Sequence, residues 1–304
     1  MNKTSTLDVG AILRLKNYIR KNKINLIHAH GTSFFLGCIQ KMINPKLKLI
    51  WHDHYGKRIE KQNFNLPVLW MSSLFFNGII CVNNQLASWA RKHLFTKKIQ
   101  FLPNFVSVLP KQKELGFYTK EGFNIILLAN LRKPKNHLNL LKAFRIVLNQ
   151  KPECKLILVG KDFKDEYSEE IKLYIQEQTL QEHVRIAGVQ TKLDSFLQTS
   201  QLGVLSSDSE GLPVSLLEYG LAGLPVVCTD VGDCRKVIGD FGKLVPIKNP
   251  EAMAKAILFY LNNNDMMNSD AKNFQKKTIE NYSEKTVLPK FLKFYKEILS
   301  ECGN

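Results

Sequence analysis

The chain has 304 residues, 44% of them hydrophobic, enough for about two domains with substantial cores. No run approaches the roughly 20 apolar residues of a membrane-spanning helix, and the opening MNKTSTLDVG has no apolar core of a signal peptide. The net charge of +16 is lopsided: 18 Lys and Arg stand against 4 Asp and Glu up to Glu114, and 25 against 23 after it. A basic first half points to an anionic partner. Phospholipid, a lipid-diphosphate-linked glycan and an acidic polysaccharide all qualify, and lysine-decorated solvated faces are the plainer alternative. Interleaved aromatic and basic reading motifs are missing, so nucleic acid is not expected as a partner. The six cysteines are scattered without C-x-x-C spacing and read as reduced thiols, neither a disulfide frame nor a zinc site.

Along the chain, apolar strand-like runs alternate with helical periodicity, which argues for parallel α/β layers. The first part predicts strands at Ile24–His28, Leu47–His52, Gly78–Val82 and Ile99–Leu102. Helices start near Leu7, Ser33, Leu66 and Asn84. Ser107–Gly122, with Pro110, Gly116 and three lysines, reads as a linker. Strands follow at Asn124–Leu128, Lys155–Val159, Val184–Ile186, Gly203–Leu205, Pro225–Cys228 and Lys243–Val245. Helices are predicted at Asn136–Gln150, Ser168–Thr179, Pro213–Ala222 and Pro250–Leu261, and the tail beyond Asn264 is helical. The domains expected are 1–106, a linker 107–122, 123–282, and a last helix 283–304.

The most informative stretch is LSSDSEGLPVSLLEYGLAGLPVVCTDVGDCRKVI, Leu205–Ile238. Glu210 falls in a loop and Glu218 about two turns into the next helix, whose first turn suits Pro213 because proline has no N–H to leave unpaired. Unpaired N–H groups at that helix start favour an anion, and the two carboxylates can accept hydrogen bonds from hydroxyls. A sugar nucleotide offers both features, a diphosphate and hydroxylated rings. An amphipathic helix with an ordinary exposed Glu is the structural alternative.

The whole string resembles the donor-site signature of retaining GT-B glycosyltransferases of family 4. There a serine, E-G-L/F-P, E-A and G-x-P-V-V recur in this order, matched here by Ser206 or Ser207, Glu210, Gly211, Pro213, Glu218, Gly223, Pro225, Val226 and Val227. Tyr219 stands where the family has Ala. The resemblance implies two facing Rossmann-like domains, the first incomplete at its N-terminus because the family's opening strand, Gly-rich turn and helix have no counterpart here. It implies that the last helix crosses back to the first domain. It places Glu210 at the donor sugar and Glu218 on the ribose hydroxyls, with Gly211, Leu212 and Pro213 at the donor-facing helix start. In LANLRKPKNH, Lys135 matches the family's phosphate-binding Lys. Asn130 occupies the usual Arg position, and Arg132, two residues on, is the expected replacement. The turn at Gly188 and Val189 is implied to lie against the base.

In the first half, IHAHG and WHDHYG bring His28, His30, His52 and His54 to two strand ends beside Asp53. Imidazoles and a carboxylate suit zinc or iron. H-x-H on a strand also places two rings on one face for purely structural reasons. The resemblance puts His54 on the donor sugar, with His52 in reserve, and implies that neither metal nor other cofactor is required beyond the nucleotide-diphosphate sugar itself. The function implied is retaining sugar transfer to a glycan or lipid-linked acceptor in cell-surface polysaccharide synthesis. The basic first half, with no signal or span in the sequence, adds the expectation of a cytoplasmic protein that touches the inner membrane face through Arg14–Lys23 and Arg91–Lys98. A truncated nucleotide-binding remnant and a GT-B sugar-nucleotide epimerase are the alternatives.

Overall fold

The computed structural model describes residues 8–54, 66–107, 122–191 and 193–300. The chain forms two compact units, one of 1–104 with 287–304 and one of 105–286. Most of the segment read as a linker, 108–121, lies outside the described residues.

In the first unit, strands β1 (Leu26–His30), β2 (Lys48–Asp53), β3 (Gly78–Cys81) and β4 (Ile99–Phe101) form a parallel sheet in sequential order. Helix α1 (Val9–Lys21) precedes β1, and α2 (Phe34–Ile43), α3 (Leu66–Ser72) and α4 (Asn84–His93) connect successive strands. Leu49, Ile50, Trp51, Ile79, Ile80 and Cys81 are all fully buried, as the middle of a parallel sheet covered on both faces requires. The first strand starts two residues later than the apolar run suggests. The α1 helix closes with a turn in which Lys23 takes a left-handed φ of 50° and the Ile24 amide donates back to the Ile19 carbonyl. Ile24 is therefore used by the turn, and both His28 and His30 fall within β1. Helix α12 (Glu284–Ser300) belongs to this unit from Val287 on. Its Phe294 reaches β3 at Gly78, where a Cβ would lie 2.8 Å from the Phe294 ring, so glycine permits the approach.

The second unit holds six parallel strands, β5 (Phe123–Leu128), β6 (Cys154–Val159), β7 (Val184–Gly188), β8 (Leu202–Leu205), β9 (Val226–Thr229) and β10 (Lys243–Val245). Their order is β10-β9-β8-β5-β6-β7. Helices α5 (His137–Leu148), α6 (Glu166–Glu177), α7 (Leu193–Gln198), α8 (Val214–Ala222), α9 (Cys234–Ile238), α10 (Pro250–Asn262) and α11 (Asn264–Tyr282) interleave with them. The chain leaves β5 toward β6 on one side and later returns to β8 on the other, so the topological switch point lies between β5 and β8. In a doubly wound sheet the crevice outside the carboxyl ends of those two strands is where ligands bind.

The short helices α7 and α9 were not foreseen. Helix α8 begins at Val214, with Pro213 in extended geometry (φ −72°, ψ 117°) just ahead of it rather than in its first turn. Proline serves both positions, since each leaves its missing N–H without consequence.

Candidate functional site

The β5–α5 and β8–α8 loops meet at the switch point, held together by backbone and short polar side chains. Asn136 adopts left-handed geometry (φ 45°) and accepts from the Asn139 amide to cap α5, while its Nδ2 donates to Asp208 at 2.7 Å. The Asp208 amide donates to the Pro134 carbonyl at 2.9 Å, and the Ser206 hydroxyl to the Lys135 carbonyl at 2.9 Å. Lys135 is thereby set so that its Nζ lies 2.5 Å from Glu210 Oε1, the same oxygen that accepts from Ser207 Oγ at 2.6 Å. Glu210 Oε2 accepts no hydrogen bond among the described residues. The Glu210 side chain retains 10% of its exposure, and charge-assisted bonds in such a partly desolvated place are the strong ones.

Gly232 fixes the other side of this loop. At φ 53° it passes so close that a Cβ would sit 2.3 Å from the Glu210 carbonyl oxygen, and the neighbouring Asp233 amide donates to the Gly211 carbonyl at 2.9 Å. The glycine in TDVGD thus shapes the Glu210 loop.

Glu218 faces different surroundings. It is half-buried on α8, with no hydrogen bond or ion pair among the described residues, and burial pushes its carboxyl up to about 7. It borders a cleft of about 570 Å³ with Leu193, Leu197, Val214, Leu221 and Gln275. No side chain caps the start of α8, so its first amides remain free of side-chain partners. Beside Glu218, Tyr219 is fully buried and its hydroxyl accepts from the Leu128 amide at 2.7 Å, tying the helix to the end of β5. The ring fits because β8 carries Gly203, where a Cβ would lie 2.5 Å from Tyr219 Cγ.

Arg132 is not brought to Lys135 and Glu210. It is exposed and its guanidinium lies over the Phe163 ring, 4.3 Å from the centroid, with Lys161 over the same ring at 4.9 Å. Asn130 accepts from the Lys161 amide at 2.8 Å, which explains why an Asn suits that position. Gly188 ends β7 at φ 67°, its carbonyl accepting from the Gly160 amide at 3.0 Å, and Val189 beside it is 68% exposed. Gly160 is itself required, since a Cβ would overlap the Ala129 carbonyl at 2.1 Å.

In the first unit, the parallel register pairs His30 with His52, and the alternation of a strand then places His28, His30 and His52 on one sheet face. His30 Nδ1 and His54 Nε2 share a hydrogen bond of 2.8 Å, and the Tyr295 hydroxyl lies 2.7 Å from His28 Nδ1. Burial, then the neighbouring histidines, lower His28 to about 4, His52 to about 2 and His54 to about 4, so these rings are neutral at pH 7. The five described cysteines are buried, and none forms a disulfide among the described residues. No helix among the described residues is long and apolar enough to cross a membrane.

Comparison with known proteins bears on the fold and the family. Among curated sequences, the chain is 22% identical over 300 residues to the UDP-Gal:alpha-D-GlcNAc-diphosphoundecaprenol alpha-1,3-galactosyltransferase of Escherichia coli, covering 91% of this chain and 76% of that enzyme. It is 24% identical over 264 residues to the phosphatidyl-myo-inositol mannosyltransferase of Mycolicibacterium smegmatis, covering 83% of this chain and 66% of that one. Among solved structures, HepE of Anabaena in complex with UDP and glucose superposes with a TM-score of 0.81 at 17% identity, over 97% of this chain and 84% of that one. Sucrose-phosphate synthase from Thermosynechococcus elongatus gives 0.77 at 17% identity, over 96% and 78%. These likenesses establish the GT-B fold. Residues 1–108 match the glycosyltransferase family 4 model, and residues 110–281, more than half of the chain, match that of the glycosyl transferases group 1: the chain belongs to this family of glycosyltransferases.

Proposed function

We propose that the protein transfers a sugar, with retention, from a nucleotide-diphosphate donor to a glycan or lipid-linked acceptor in the synthesis of a cell-surface polysaccharide. The observation that carries this reading is the Lys135–Glu210–Ser207 constellation at the switch point, with the unpaired Glu218 on the adjoining helix. The names of the E. coli and mycobacterial relatives specify lipid-linked acceptors, which supports the acceptor class.

In this reading the diphosphate is drawn to Lys135 and to the free amides at the start of α8, which offset the charge that develops as it leaves. Glu210 Oε2 holds sugar hydroxyls, Glu218 the ribose, and Gly188 and Val189 the base. Arg132 reaches the phosphates only by leaving Phe163. His54 contacts the sugar by the same resemblance. The family resemblance implies that the departing phosphate assists attack on the same face, without an enzymic nucleophile, a metal or another cofactor.

A cytoplasmic protein at an anionic membrane face completes the proposal. Ile19 and Leu94, apolar residues of the basic segments Arg14–Lys23 and Arg91–Lys98 expected to meet lipid, are buried. The exposed set is Trp70, Met71, Leu74 and Phe95, with Trp70 and Phe95 rings 4.6 Å apart and Arg91, Lys92 and Lys97 exposed beside them. Exposed rings next to cations are the composition of an interfacial anchor.

Glu210→Gln tests the central assignment. It keeps the size of the side chain and removes its charge, so kcat is expected to fall about 100-fold or more while the Kd for UDP or GDP changes less than about threefold. Full turnover in this variant would overturn the assignment of Glu210.

A further inference from the structure

The histidines of the first unit are not used by the transfer chemistry, apart from His54. We propose that His28, His30 and His52 form a binding site for a late first-row divalent transition metal, with zinc as the working example and a fourth position left open. His54 and the Tyr295 hydroxyl support the ligands from behind.

The backbone brings the three rings together before any side-chain choice is made. His28 and His30 are two residues apart on β1, His52 is the register partner of His30 on β2, and all three project from the same face. Asp53 projects to the opposite face, so the ligand set is imidazole alone, which suits zinc, copper, nickel or cobalt better than magnesium or calcium. One nitrogen from each ring lies within 4.8 Å of the other two. Zinc at about 2.0–2.1 Å from each ligand needs nitrogens about 3.4 Å apart. The farthest pair therefore closes by less than about 1.5 Å, within reach of small side-chain rotations of the three rings.

The hydrogen bonding points to a ligand rather than to packing. His52 is 3% exposed, and neither of its ring nitrogens has a partner; His28 Nε2 is also buried without one. A buried core histidine ordinarily satisfies at least one nitrogen. The rings that do have partners have them on one side only. His28 Nδ1 meets Tyr295, and His30 Nδ1 meets His54. In the tautomer where His28 donates Nδ1–H to the Tyr295 oxygen, its Nε2 lone pair faces the cluster. A metal-bound histidine commonly gives its second N–H to such an outer partner, which fixes ring and tautomer. Burial and mutual proximity keep the rings neutral, as metal ligands must be. The Phe291 ring, 5.7 Å from that of His52, dries one side, and the exposed His30 leaves a way in. Because Tyr295 and Phe291 lie on α12, a bound ion would fasten the C-terminal helix to the sheet of the first unit.

The test uses the full-length protein stripped of metal by chelator. Zinc is titrated at pH 7.5 against a chromophoric competitor, and Co²⁺ is added separately as an optical reporter of coordination geometry. One equivalent of zinc is expected to bind, and Co²⁺ to show the intense visible bands of a four-coordinate site. His52→Ala, His28→Ala and His30→Ala should each weaken zinc at least about 100-fold, and Tyr295→Phe about tenfold. His30 is exposed, so His30→Ala separates ligation from packing in the core. His93→Ala, at an exposed ring on α4, should bind as the wild type does. Zinc should also raise the Tm of the wild type and leave that of His30→Ala unchanged. Substoichiometric binding, or full binding by His30→Ala, would overturn the site and leave the four rings as packing alone.

Discussion

Replacing Tyr219 by Phe removes one oxygen and leaves the ring in place. That oxygen accepts from the Leu128 amide at 2.7 Å and lies 3.2 Å and 3.1 Å from the Ile126 and Val204 carbonyls. The β8 ladder pairs with β5 only at Ile125 and Ile126, so the Leu128 amide relies on the hydroxyl. A buried amide stripped of its acceptor costs about 1–3 kcal/mol. For a unit of this size, about 2 kcal/mol corresponds to a Tm lower by about 4–8 °C. Tyr219→Ala should lose about 3–5 kcal/mol through the emptied ring volume. Gly203→Ala should lose about 1–3 kcal/mol or more by overpacking, because its Cβ would sit 2.5 Å from the same ring. The double variant tests the pairing directly. With the ring gone, the added methyl has room, so Gly203→Ala with Tyr219→Ala should cost clearly less than the two single changes summed. Urea unfolding followed by circular dichroism measures the wild type and all four variants. A Tyr219→Phe protein within about 0.5 kcal/mol of the wild type, or a strictly additive double variant, would refute the reasoning.

Glu218 carries a pH prediction. Burial raises its carboxyl to about 7 from an ordinary 4.5, so between those values the native protein holds a proton that the unfolded chain has lost. Its contribution to stability is full below about pH 4.5 and is lost as pH rises through 7, by at most about 1.4 kcal/mol per pH unit. Glu218→Gln lacks this slope, so its stability relative to the wild type should rise from pH 5 to 8; parallel pH profiles would count against an unpaired buried carboxyl. The Trp70→Ser, Phe95→Ser double variant should lower co-sedimentation with anionic liposomes at least about fivefold, and salt should weaken what remains. Unchanged liposome binding would remove this patch from the membrane proposal.

Strand positions were legible because runs such as Ile125–Leu128 and Gly78–Cys81 are buried on both faces and read as unbroken apolar segments. The β8–α8 loop was legible because Glu210, Pro213 and Glu218 are close in sequence and carry a spaced signature. Helices of five or six residues, α7 and α9, are too short for a 3.6-residue period to emerge. The first strand was misplaced because periodicity does not register that Ile24 closes a helix. Tyr219 read as a departure from Ala only because its compensation, Gly203, lies on another element, where nothing marks it as a partner. The partnership of Lys135 with Glu210 joins residues 75 positions apart, and it follows from strand order rather than from either motif alone.

That partnership bears on how a donor would bind. Without a ligand, Lys135 and Glu210 satisfy each other, while the proposal gives them different parts of one molecule, the diphosphate and the sugar. A nucleotide alone would have to compete with Glu210 for the lysine, and its affinity is reduced by the ion pair it disturbs. A complete donor returns hydroxyls to Glu210 as its phosphates take Lys135, so both charges remain paired throughout. Removing the carboxylate then has two opposing effects on nucleotide affinity: Lys135 is released from its partner, and it loses the contact that positions it. These effects offset each other for UDP or GDP but not for the reacting sugar, whose hydroxyls have lost their acceptor. A large change in kcat with a small change in nucleotide Kd is therefore the pattern required of Glu210 as a group that holds the sugar and, in its absence, the lysine.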